Sequence, residues 1–109
     1  MTPLRIAALL LAALFAVLMT LSLARAQSPK GDAATGATMH DKDCVTCHVR
    51  RVGGDGSAMY TRAERRVTSS AKLRAQVSVC NAELNTGYFP DEEEHVAAYL
   101  NLRFYKFKE

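Results

Sequence analysis

Cys44-Val45-Thr46-Cys47-His48 constrains this chain more than any other stretch. Cys44 and Cys47, placed at the end of a helical turn, suit the two vinyl groups of a single haem, with which they form thioether bonds. His48 then sets an imidazole under the iron, and histidine is a standard proximal ligand. The spacing also occurs in thioredoxin-like redox pairs and in halves of zinc sites. Neither finds its context here: no βαβ pattern surrounds the motif, and no second C-x-x-C completes a zinc tetrahedron. The expectation is one covalently held haem c, attached at Cys44 and Cys47 with His48 as iron ligand.

The N-terminus speaks to compartment. Arg5 supplies a positive start, and Ile6 to Leu23 is an apolar run interrupted only by Thr20 and Ser22. Ala24-Arg25-Ala26 puts small residues where a signal peptidase reads, so cleavage is expected before Gln27. That divides the chain into a signal peptide, residues 1–26, and one domain, residues 27–109. An apolar run of this length also suits an uncleaved membrane anchor. The A-x-A site and the polar stretch Gln27 to Thr35 favour removal, leaving an exported, periplasmic domain with no stable anchor.

Cleavage changes the charge. Of 14 basic residues, Arg5 and Arg25 lie in the leader, which has no acid; the remainder carries 12 basic against 11 acidic residues. So small an excess gives no reason to expect a nucleic-acid partner. A domain this short buries a modest core and often needs a staple or a cofactor. An odd count of 3 cysteines in an exported chain rules out a purely disulfide staple.

The remaining pattern is helical. Ala33 to Lys42 can form a helix ending at the motif, with Gly36 and His40 on one face. In Ser69 to Leu84, residues Leu73, Val77, Cys80 and Leu84 form one apolar stripe. Asn85-Thr86-Gly87 ends that helix, and Gly53, Gly54 and Gly56 mark a loop after the motif. Pro90 followed by Asp91 to Glu94 reads as the start of a last helix running to about Leu102. No alternation long enough for a strand is present.

On these residues the chain resembles the class I cytochrome c family across residues 27–109. The resemblance implies an all-α, cytochrome c-like fold of three to four helices around one covalent haem. It also implies that Gly36 and His40 cross the C-terminal helix near Val96 and Tyr99, His40 standing where the family has an aromatic. Class I electron carriers usually present a distal methionine between the middle and last helices. Here that segment, Asn85 to Pro90, has none.

Four answers for the sixth iron position follow. Met59, in the glycine-rich region, has the reach to round the haem edge. His95 would give bis-histidine ligation, but its acidic neighbours suit a surface residue. Cys80 is preferred: it lies on the apolar stripe, has no intramolecular disulfide partner, and thiolate is an accepted haem ligand. Against it stand an ordinary buried thiol and an intermolecular disulfide. The last answer is iron with no strong distal ligand. Short segments also resemble two groups of small monohaem cytochromes. One binds oxygen and has a distal asparagine beside a cysteine, matching Asn81; the other has His/Cys ligation and binds nitric oxide and carbon monoxide, which fits the lone Cys80 better.

Arg50, Arg51 and Arg62, with Tyr60, flank the haem loop as candidates to hold the haem propionates, since guanidinium forks match carboxylates. A solvated basic loop is the plain alternative. The aromatic tail Leu102 to Phe107 can cover the haem edge or supply a dimer contact. No catalytic triad or paired carboxylate is discernible, so no enzyme is expected. The expected function is periplasmic electron transfer between redox partner proteins. The alternative is binding or sensing of a diatomic gas at a haem with a displaceable Cys80 ligand. A subunit of a larger oxidoreductase is a third class.

Overall fold

The structure is a computed structural model; it describes residues 2–24 and 31–109, with side chains at 2–17 and 31–109. The expected cleavage point before Gln27 lies outside the described residues. Helix α1 spans Pro3–Ala24; along residues 3–17 its side chains are exposed all round, with Leu9, Leu10, Leu11, Leu14 and Phe15 each more than half exposed. A helix apolar on every face has no polar side to present to water, so it is no ordinary element of a water-facing domain. Among the described residues, no helix is long and apolar enough to cross a membrane.

All described secondary structure is helical, as expected. Helix α2 runs Ala33–Asp43, α3 Val45–Val52, α4 Ala58–Thr61, α5 Ser70–Leu84 and α6 Pro90–Leu100. Local chemistry sets the ends. Asp32 caps α2 by accepting the Thr35 N–H at 2.8 Å, and Ser69 caps α5 by accepting the Lys72 N–H at 3.2 Å. Asn85 closes α5 in the left-handed conformation, with φ of 53°. Pro90 opens α6, where the Glu92 carboxylate accepts the Phe89 N–H at 2.8 Å.

The α-helical pattern of α6 stops at Leu100, short of the expected Leu102, and Asn101–Tyr105 continues as a wider π turn. The cause is a clasp. Asn101 accepts the Phe107 N–H at 2.8 Å and donates to the Phe107 carbonyl at 3.0 Å, with Lys106 between them at φ of 60°. The tail thereby folds back and buries Tyr105.

Helices α2 and α6 form the main crossing. Gly36 lies so close that a Cβ there would sit 1.9 Å from the His95 carbonyl oxygen. His40, one turn on, packs its ring 5.2 Å from that of Tyr99. His95 does not turn inward: its Nδ1 accepts the Asp32 N–H at 2.8 Å, tying the start of α2 to α6. The buried apolar residues are Tyr60, Val67, Leu73, Val77, Val96, Ala97, Leu100 and Tyr105.

Candidate functional site

The core is built around a cavity of about 450 Å³. Val67, Leu73, Val77, Val96 and Leu100, which elsewhere would fill a core, are its walls. Cys44, Cys47 and His48 all line it, as do Cys80, Met59, Tyr60 and Arg62. All three cysteines are free and partly buried. Burial first, and then the nearness of Cys80, push the Cys44 thiol up to about 11. Among the described residues, no group of three His, Cys, Asp or Glu side chains could hold a metal ion as a cage.

The α5 stripe turns wholly to this cavity. Leu73 and Val77 are buried on its wall, Cys80 is half-buried, and Leu84 stands at the exposed margin. The Cys80 Sγ accepts from the Gln76 amide at 3.4 Å, a weak contact to a neutral donor.

Helix α4 and the loop before it back His48. Gly56 presses on the His48 Cβ, 2.9 Å from where its own Cβ would be. The Tyr60 hydroxyl lies 2.5 Å from His48 Nδ1 and 2.8 Å from His40 Nε2, joining three side chains from three helices. This corrects the role expected of Tyr60: its hydroxyl faces the two histidines, and no polar atom remains for a propionate. Burial holds both imidazoles below the ordinary histidine pKa and raises the Tyr60 phenol well above its own. Both histidines are therefore neutral near pH 7, and the phenol keeps its proton.

The arginines divide. Arg62 lines the cavity, whereas Arg50 is exposed and does not, a correction to the expectation that both serve one site. Arg51, expected with them, lines it too, as do Arg65 and Arg66, which were not expected. Arg51 was discernible, because Cys44, Cys47, His48 and Arg51 share one helical face while Arg50 points away from it. Arg65 and Arg66 lie in the irregular link before α5, where no periodicity signals direction. Arg65 is partly committed, donating to the Tyr60 carbonyl at 3.3 Å with its guanidinium 5.4 Å from the centre of the Tyr105 ring.

Two distal candidates have other work. His95 is engaged with Asp32 and does not line the cavity. Asn81 lines it, but its amide is spent on the segment after α5. Its Nδ2 donates to the Tyr88 carbonyl at 2.9 Å and to Glu93 at 2.6 Å, and its Oδ1 accepts from Tyr88 N–H at 3.0 Å and Thr86 at 2.5 Å. Tyr88 in turn donates to the Asp43 carboxylate, pinning the segment to the end of α2. No protein-family model, curated protein or solved structure matches the chain.

Proposed function

We propose that residues 27–109 are a periplasmic monohaem c-type cytochrome domain that transfers electrons between redox proteins. The observation that carries this reading is the apolar-walled cavity with Cys44, Cys47 and His48 on one helical face beside it. The donor set suits haem chemically: two thiols for the vinyl groups, a neutral imidazole for iron, and an apolar wall for the ring. A volume of about 450 Å³ is also in the range of cofactor cavities. When bound, haem supplies one-electron cycling between ferric and ferrous iron.

The chain's own residues would do the rest. Cys44 and Cys47 would tether the ring, and His48 would offer its Nε2 to the iron. Arg51, Arg62 and Arg66 stand on the cavity lining as partners for propionates. Residues 1–26 act as a signal peptide, so purified periplasmic protein should begin at Gln27; a retained leader would overturn that reading.

Cys80 remains the preferred distal ligand. Helix α4 and the loop before it back His48 through Tyr60 and Gly56, and Met59, also on α4, lines the cavity as the other candidate. Cys80 comes from α5, and the hydrogen bond it would give up is the weak one from Gln76. Coordination to ferric iron would stabilise its thiolate. The weak hold on Cys80 also favours a second reading, binding of NO or CO at a haem whose distal Cys80 ligand would be displaceable. Absorption spectra of both oxidation states, with and without CO, for wild type and Cys80→Ala test both. A six-coordinate ferrous form indifferent to CO ends the gas reading. An unchanged ferric spectrum in Cys80→Ala removes the thiolate ligand. Haem released from the chain under denaturing conditions would refute covalent attachment.

A further inference from the structure

We propose that Asp41, His40 and Tyr60 form a one-way hydrogen-bond chain that fixes the His48 tautomer, with Nδ1 protonated and Nε2 bare. Tyr60 and His40 are then positioning residues for the iron ligand, an inference that rests on the haem reading only for its purpose.

Counting protons sets the direction. His40 Nδ1 lies 3.4 Å from the Asp41 carboxylate, which can only accept. A bare Nδ1 there would set lone pair against anion, so the neutral His40 ring carries its proton on Nδ1. Its Nε2 is then an acceptor, 2.8 Å from the Tyr60 hydroxyl. A phenol has one proton, and Tyr60 gives it to His40. What Tyr60 offers His48 is a lone pair, so the 2.5 Å contact requires His48 Nδ1 to donate. A neutral imidazole protonated at Nδ1 has a free lone pair at Nε2, the atom a metal needs. Every group in the chain is satisfied in this direction. Among the described residues, no buried side-chain nitrogen or oxygen lacks a partner.

The arrangement does for His48 what an outer-shell carbonyl or carboxylate does for other metal-bound histidines: it orients the ring and fixes the proton. Its acceptor is a phenol that is itself anchored. Tyr60 is 5 % exposed and packs against Phe104 at 5.0 Å and Tyr105 at 5.9 Å between ring centres. Helix α4, with only 4 residues, gains its fixed position from these contacts. The ring of His48 is therefore held by the tail of the chain, through one hydroxyl.

The test is nitrogen-15 NMR of the histidine-labelled protein as isolated, in the reduced state with CO added wherever iron is five-coordinate. Wild-type His48 should carry its ring proton on Nδ1, protected from exchange with water. Tyr60→Phe keeps the ring and removes the hydroxyl. Added imidazole should then displace His48 from iron about 10- to 100-fold more readily, the range for loss of an outer-shell partner. His40→Gln still offers Tyr60 an acceptor and should behave as wild type, whereas His40→Leu should move toward Tyr60→Phe. That split separates positioning from packing and stands even if Tyr60→Phe fails to fold. A His48 proton on Nε2, or displacement within about twofold of wild type in both Tyr60→Phe and His40→Leu, overturns the proposal. The two readings fail separately: a preparation without haem sinks the cofactor assignment, whereas a haem-loaded preparation in which neither variant eases displacement sinks the positioning role alone.

Discussion

His40 is 6 % exposed and neutral, and that has a consequence for stability against pH. Burial lowers its pKa in the folded chain more than Asp41 raises it. In the unfolded chain it returns to about 6.5. Below that pH the unfolded state binds the extra proton, so the stabilising contribution is complete above about pH 6.5. It is lost as pH falls from there through the depressed folded value. His40→Phe keeps a flat ring against Tyr99 and removes the titration. Urea midpoints measured from pH 7.5 down to 5 should fall less in His40→Phe than in wild type. Equal slopes would mean that folding leaves the His40 pKa unchanged. The ring's packing role was legible, since Gly36 and His40 share a helical face toward α6. Its hydrogen bonds were not, because Tyr60 lies on another helix and no local pattern links the two residues.

At the level of elements, the crossing of α2 and α6 depends on a missing side chain. A Cβ on Gly36 would meet the His95 carbonyl at 1.9 Å and the Tyr99 Cβ at 3.0 Å. The first is backbone and cannot rotate away, so Gly36→Ala must push the helices apart. Overpacking of this kind costs about 1–3 kcal/mol, sometimes more. Chemical denaturation of Gly36→Ala against wild type measures it, and a loss below about 0.5 kcal/mol would show that the helices slide freely. The α5 stripe of Leu73, Val77, Cys80 and Leu84 was equally legible, because four residues at helical spacing must share one direction. What periodicity could not show was the object they face: an open cavity, with Leu84 left partly wet. The α-helix of α6 ends before the expected Leu102 for a related reason. The composition of Leu102 to Phe107 suits a helix, but the Asn101 clasp redirects the chain, and side-chain-to-backbone bonds of that kind compete with regular structure. Arg50 was assigned by nearness in sequence, while the shared face of Cys44, His48 and Arg51 determines which guanidinium reaches the cavity.

For the whole molecule, the cavity sets the energy scale. No side chain among the described residues falls below 2 % relative exposure, and the apolar residues surround a space of about 450 Å³. At about 24 cal/mol per Å³, an unfilled cavity of that size would cost up to about 11 kcal/mol. Its open side admits water, so the cost is lower than for a closed void. Contacts that do not depend on a filled centre include the α2–α6 crossing, the Asn81 hydrogen bonds and the Arg74 pairs with Glu94 at 3.0 Å and Glu109 at 2.8 Å. The ion pairs are partly exposed and contribute little, about 0–1 kcal/mol each. The expected behaviour follows from the proposed cofactor. Cys44→Ser/Cys47→Ser, unable to form thioethers, should keep part of its far-ultraviolet helix signal while losing its near-ultraviolet signal and its cooperative thermal transition. Cys80→Ser, which leaves the tether intact, should still melt cooperatively. A double variant that melts as sharply as wild type would mean that the helices close the cavity on their own, and that filling it is not what holds this fold together.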